Sequence, residues 1–236
     1  MRKAFSVFIL PLIIISISSS LAYSWSDQTH LAIAKASGYD RWYYAVGADM
    51  LKIKAGDIEK YNHFFNNFED VDVTPDMVLK QADKYDDARD TEGHIYGALI
   101  ATIRNYKEAI NADGYSANYH LGLFSHYVGD LSQPLHNILY DDFNKQHHRI
   151  NDGTVDTEIM DNINRIKENM VPVNLRKDKF EYDLANEIAR IANNARLLGH
   201  KLKKENRDMT REEAYKQLGK SASLLHSVLK HLGKIN

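Results

Sequence analysis

The sequence predicts an all-α chain: a single compact multi-helix domain spanning residues 25–236. Three observations carry that expectation. Apolar residues recur at spacings of three and four, no run alternates in the manner of a strand, and only four prolines interrupt 236 residues. In chain order the helical stretches are "THLAIAKASGY" (29–39), "YSANYHLGLFSHYVGDL" (115–131), "TEIMDNINRIKENM" (157–170), "FEYDLANEIARIANNARLLGHKL" (180–202) and "REEAYKQLGKSASLLHSVLKHL" (211–232). Two starts are marked. Thr74 precedes Pro75 as a capping residue before a proline at the first helical position, and Thr210 with Glu213 has the spacing of a capping box. No internal repeat, low-complexity run or linker divides the chain.

Residues 1–24 read as a secretory signal peptide. A basic start (Arg2, Lys3) leads into the apolar "AFSVFILPLIIISI" and the small, polar "SSSLAYS". Ala22 and Ser24 suit the −3 and −1 positions of a cut before Trp25. The alternative, a membrane anchor, needs about 20 apolar residues, and this run is shorter and interrupted by Pro11. The expected location is therefore outside the cytoplasm, periplasmic or extracellular, with no transmembrane segment after processing and no protein partner implied. Losing Arg2 and Lys3 moves the formal charge from −2 to −4, so no basic stripe for nucleic acid is evident. The chain has no cysteine, so export cannot be met by disulfides, and eleven histidines direct attention to metal.

The richest segment is "HYVGDLSQPLH" (126–136). His126 and Asp130 stand four apart and project from one helical face. Gly129 admits close approach beside them, and the bend at Gln133-Pro134 can return His136 to the same space. A core histidine with a capping aspartate would look the same for one such pair. The spacing repeats at His148 and Asp152, however, and imidazole plus carboxylate is a zinc donor set. His147 competes with His148, but its partner at that spacing is Asn151, a poorer ligand than a carboxylate. Two such pairs flanking a third histidine point to metal.

"LGLFSHYVGDLSQPLH" (121–136) closely resembles the central motif of the zinc-dependent phospholipase C family, which is homologous to the fungal zinc-dependent single-strand nucleases. The resemblance extends over 119–152 and, more briefly, to "WSDQTH" (25–30). It implies an all-α domain built around a trinuclear zinc cluster. In that family the amine and carbonyl of an N-terminal tryptophan bind one ion. Carried onto this chain, Trp25 and His30 hold one zinc with Asp130 bridging to it. His126 and Asp130 help hold a second, completed by an upstream aspartate and histidine, assigned to Asp83 and His94. Asp86 and Asp87 remain substitutes for Asp83, because the gap to His94 is short. His136, His148 and Asp152 hold the third. His63, His120, His200, His226 and His231 have no counterpart in the motif and are expected to be core or surface residues.

The resemblance implies hydrolysis of a phosphate ester by a metal-activated water, with Asp83 in the catalytic role of orienting or deprotonating that water. The expected reaction is cleavage of the glycerol-phosphate ester of a phospholipid, with the head group and membrane surface as substrate. The alternatives are a single-strand nuclease or 3'-nucleotidase acting on single-stranded nucleic acid, and a non-catalytic exported zinc-binding protein. Nucleases of this kind stack a base on aromatics, whereas the lipase branch cages choline with an acid and aromatics; Asp27, Tyr85 and Tyr96 lie near the relevant segments.

Overall fold

The computed structural model describes residues 25–112 and 115–236. The signal-peptide reading lies on 1–24, outside the described residues. About 68% of the chain is helical, in ten α-helices with no strand among the described residues.

The centre of the fold is a helix whose C-terminal half is buried on all sides. Helix α6 (Tyr115–Leu131) is preceded by α5 (Ile95–Ala112), and the two pack along each other. Leu121, Phe124, Val128 and Leu131 lie on α6 with 0% exposure, and burial continues without a break through residues 121–138. A helix apolar all round belongs inside other helices. Fully burying each such side chain stabilises by about 1.5–3 kcal/mol. Helix α5 was not among the stretches singled out in the sequence.

The remaining helices wrap this pair. At the N-terminal side lie α1 (Asp27–Ala36), a 3₁₀ turn over Trp42–Val46, α2 (Gly47–Ala55) and α3 (Asp57–Lys60). Helix α4 (Pro75–Gln81) starts as expected: the Thr74 hydroxyl accepts from the Met77 N–H, with Pro75 in the first turn. Gly97 on α5 allows α4 to dock, because a Cβ there would lie 2.1 Å from the Gln81 carbonyl. After a 3₁₀ turn at Pro134–Asn137 comes α7 (Asp142–Asp152), capped by the Asp141 side chain accepting from the Asn144 N–H. Helix α9 (Phe180–Glu205) ends at Asn206 in the left-handed conformation, and α10 (Arg211–His231) opens with the full Thr210–Glu213 capping box.

One expected helix is shorter than its periodicity suggested. Residues 153–162 form successive turns, and only α8 (Ile163–Glu168) is helical within 157–170. The backbone there closes three-residue turns instead, with the Asp156, Glu158 and Asp161 N–H groups donating to the Gly153, Val155 and Glu158 carbonyls. Among the described residues no helix is long and apolar enough to cross a membrane.

Candidate metal centre

Histidine and aspartate side chains from four helices and two turns converge on α6. Three groups have ligand atoms within 4.8 Å of one another: His30, His126 and Asp130; Asp49, His63 and His126; and His136, His148 and Asp152. Each is arranged so that it could hold a metal ion. Helix α6 supplies His126 and Asp130 one turn apart, α1 supplies His30, α2 supplies Asp49, and α7 supplies His148 and Asp152. His63 follows α3 in a turn, and His136 sits in the 3₁₀ turn opened by Pro134.

Asp130 joins the groups. Its Oδ1 lies 3.3 Å from His30 Nε2 and 3.7 Å from His136 Nδ1. Its Oδ2 lies 2.8 Å from His63 Nδ1 and 3.1 Å from His126 Nε2. The carboxylate is fully buried, which disfavours its charge. The surrounding His126, His136 and His30 outweigh that and hold its pKa well below the ordinary value. For Asp49, burial again works against the charge, while His126, Lys52 and His63 keep the pKa lowered. Burial likewise opposes charging His126, but Asp49 and Asp130 push its pKa up to about 9.

The histidines are oriented from behind. His126 Nδ1 contacts the Ala45 carbonyl at 2.7 Å, His136 Nδ1 the His63 carbonyl at 2.8 Å, and His148 Nδ1 the Asn144 Oδ1 at 2.6 Å. Carbonyl oxygens only accept, so each Nδ1 carries a hydrogen and each Nε2 is the atom turned to the cluster. The Asn144 amide is fixed in that sense, because its Nδ2 donates to the Leu135 carbonyl at 2.7 Å. His136 and His148 consequently face each other with two lone pairs across 3.1 Å. Burial lowers the pKa of His136 to about 4 and that of His148 well below its usual value, so both are neutral at pH 7. A shared cation stabilises such a contact, and with carboxylates nearby the donor set fits a divalent metal.

His30 is held by packing. Its ring stacks on His126 with centroids 3.7 Å apart, and a Cβ at Gly129 would lie 2.5 Å from its Nδ1. Only glycine leaves room there. Trp25 is fully buried, and the Ser26 N–H donates to the Asp152 carbonyl at 3.4 Å, which brings the chain at Trp25 beside α7.

The structure therefore brings together His30, His126, Asp130, His136, His148 and Asp152, with Trp25 alongside. It does not bring Asp83 or His94. Asp83 is exposed on the 3₁₀ turn Ala82–Lys84 and belongs to none of the three groups. His94 is buried, but its ring is engaged by Asp90 at 3.1 Å and Asn62 at 2.8 Å. Asp86 and Asp87 also lie outside the groups. The upstream pair at the cluster is Asp49 and His63; His63, expected to be a core or surface residue, is buried and stands in one of the groups that could hold a metal. Helical spacing of Glu59 and His63 was the available signal for one; Asp49 carries no local signature. His120, His200, His226 and His231 stand outside all three groups.

Two features border the cluster. Lys52, one turn after Asp49, places Nζ 2.5 Å from its Oδ1, and its charge helps lower the pKa values of His136 and His148. A cavity of about 200 Å³ opens beside His136 and His148, walled by Tyr61, Phe64 and Tyr140 with Lys60 at its edge and no acidic side chain in its lining. The residues considered for a choline cage are elsewhere: Tyr96 is fully buried against Asn137, and neither Asp27 nor Tyr85 lines the cavity.

Compared with family models, curated proteins and solved structures, the chain finds no match.

Proposed function

We propose that the chain is an exported, zinc-dependent phosphoric ester hydrolase of the phospholipase C type. One observation carries the reading: three groups of imidazole and carboxylate ligands meet at the buried Asp130. That nitrogen and oxygen donor set is characteristic of zinc, and the resemblance of residues 121–136 to the phospholipase C motif is consistent with it. Bound there, such ions supply Lewis-acid polarisation of a phosphoryl oxygen and lower the pKa of water. The chain's residues do the rest. Lys52, 11% exposed, offers its ammonium to a phosphoryl oxygen. Asp49 is the most exposed of the cluster carboxylates at 14%, against 0% for Asp130 and 7% for Asp152. Its lowered pKa makes it an acceptor that orients a water rather than one that keeps the proton.

A lipid substrate is supported by the outer face of the same helix that supplies Asp49. Met50 and Ile53 on α2 are 59% and 60% exposed, Ile58 on α3 is 48% exposed, and Tyr43 before them is 53% exposed. Lys54 and Lys60 are exposed beside them. Exposed apolar, aromatic and lysine side chains within one short stretch of chain suit a lipid surface. A second reading, single-strand nuclease or 3'-nucleotidase, is favoured by the cavity. Its aromatic walls suit a planar base, whereas a cationic head group is better held where an acid stands beside the aromatics.

The test uses the chain beginning at Trp25, loaded with zinc, on phosphatidylcholine vesicles and single-stranded DNA in parallel. Release of phosphorylated head group supports the first reading. Cleavage of DNA alone transfers the assignment to the second, and bound zinc without turnover on either leaves an exported zinc-binding protein.

A further inference from the structure

We infer that Glu59 is the positioning residue for the group formed by Asp49, His63 and His126, fixing which nitrogen His63 presents to a metal. His63 differs from the other ligands. It follows α3 in a turn, so no long helix sets its ring, and its inward atom is Nδ1, 2.8 Å from Asp130 Oδ2. Its outward Nε2 meets Glu59 Oε1 at 3.1 Å. A hydrogen on Nε2 donated to that oxygen leaves the Nδ1 lone pair for the cluster. The other ligands whose Nδ1 turns outward rest on neutral carbonyls; His63 alone rests on a carboxylate, which raises the basicity of an imidazole ligand most.

Glu59 is itself held for this task. Its side chain is 5% exposed, a placement that costs several kcal/mol unless hydrogen bonds satisfy it. The Tyr127 hydroxyl donates to Oε1 at 2.6 Å, and Asn62 Nδ2 donates to Oε2 at 3.3 Å. Tyr127 follows His126 on α6, and its ring stands edge-on to His63 with centroids 5.4 Å apart. Asn62 is anchored in turn, its Oδ1 lying 2.8 Å from His94 Nε2 and 3.2 Å from the Asp86 N–H. His94 thus serves the cluster at one remove, by fixing the amide that fixes Glu59.

The inference rests on reading the three groups as metal sites, and its test separates the two. Wild type, Glu59→Gln and Glu59→Leu are each titrated with zinc against a chromophoric chelator. Each is also titrated with cobalt(II), following its visible absorption, and melted in the metal-free state. Glutamine keeps the shape and a weaker acceptor, and should lose about tenfold in affinity at one ion; leucine should lose about a hundredfold. The cobalt spectrum should change for that ion while the metal-free melting temperature of the glutamine variant stays near wild type. Chelator competition equal to wild type in both variants would overturn the role of Glu59 while leaving the metal sites standing, as would losses that only follow metal-free melting. A wild-type chain that binds no metal would overturn both. If the leucine variant fails to fold, the isosteric glutamine variant decides alone.

Discussion

Gly129→Ala tests the packing that places His30. The added Cβ would stand 2.5 Å from His30 Nδ1, 2.7 Å from its Cε1 and 3.3 Å from Ile33 Cδ1. Non-bonded heavy atoms settle at about 3.5–4.0 Å, so the ring must retreat by roughly 1 Å. It has little room, being fully buried and stacked at 3.7 Å on His126. Overpacking costs about 1–3 kcal/mol, and replacing glycine by alanine inside a helix returns about 1 kcal/mol. The net cost of roughly 0–2 kcal/mol should lower the metal-free melting temperature by no more than about 8 °C for a chain of this size. Function should suffer far more, because a displacement of about 1 Å at reacting groups costs on the order of 100-fold. The assay pairs metal-free melting with metal content and phosphodiester hydrolysis. Gly47→Ala is the control, since nothing lies within 4 Å of a Cβ there. A Gly129→Ala protein with the metal content and turnover of wild type would refute the placement of His30 in the cluster.

Asp130→Asn should be the most damaging single ligand change, because that carboxylate faces His30, His63, His126 and His136 together; elemental analysis should find at least one ion lost, and full retention would remove its bridging role. Chelation should lower the melting temperature strongly, since ligands from several chain segments make binding energy part of folding energy, and an unchanged melt after confirmed metal loss would show that the helices stand alone. A chain beginning at Trp25 should bind more zinc than the same chain with one extra residue before it, because an amide nitrogen is a poor ligand; equal zinc content would exclude the terminal amine. Glu213→Gln keeps the capping box but removes the charge paired with Arg207, and should destabilise at pH 7 by about 0.2–1 kcal/mol. Its Arg207 bond holds the folded pKa at about 2 against 4.5, so this stabilisation is complete above the unfolded value and disappears as pH falls through about 2. A wild-type-to-variant gap that persists at pH 1.5 in thermal melts would contradict the assignment.

Much of the fold was legible because its helices announce themselves locally. The capping box at Thr210 and the Thr74-Pro75 start are formed as their sequences imply. Residues 157–170 misled because apolar spacing records which positions are buried, not whether the backbone between them is continuous; up to Asn162 the chain runs as successive turns. Helix α5 escaped notice for a different reason. Ile95 through Ile103 are buried at every position, and a helical half covered on all sides has no polar face to reveal its period.

The site divides along the same physical line. His126 with Asp130 and His148 with Asp152 were legible because a helix makes neighbours of residues four apart, so a local rule locates both ligands at once. Asp49 and His63 obey no such rule, since one comes from α2, the other from a turn, and only tertiary packing against α6 brings Asp49 to His126 and His63 to Asp130. A short polar run ending in a histidine, 83–94, imitated the missing pair. Its histidine is spent on Asn62, the residue that steadies Glu59 behind His63. The same argument says where a substitution should be forgiving. His94→Gln keeps a side chain able to donate to Asn62 Oδ1, so it should retain nearly the full metal content, whereas His63→Gln replaces a ligand and should lose the ion shared with Asp49 and His126. Metal analysis of the two proteins side by side decides it. A His94→Gln protein as depleted as His63→Gln would return His94 to the ligand set and dismantle the arrangement described around Asn62.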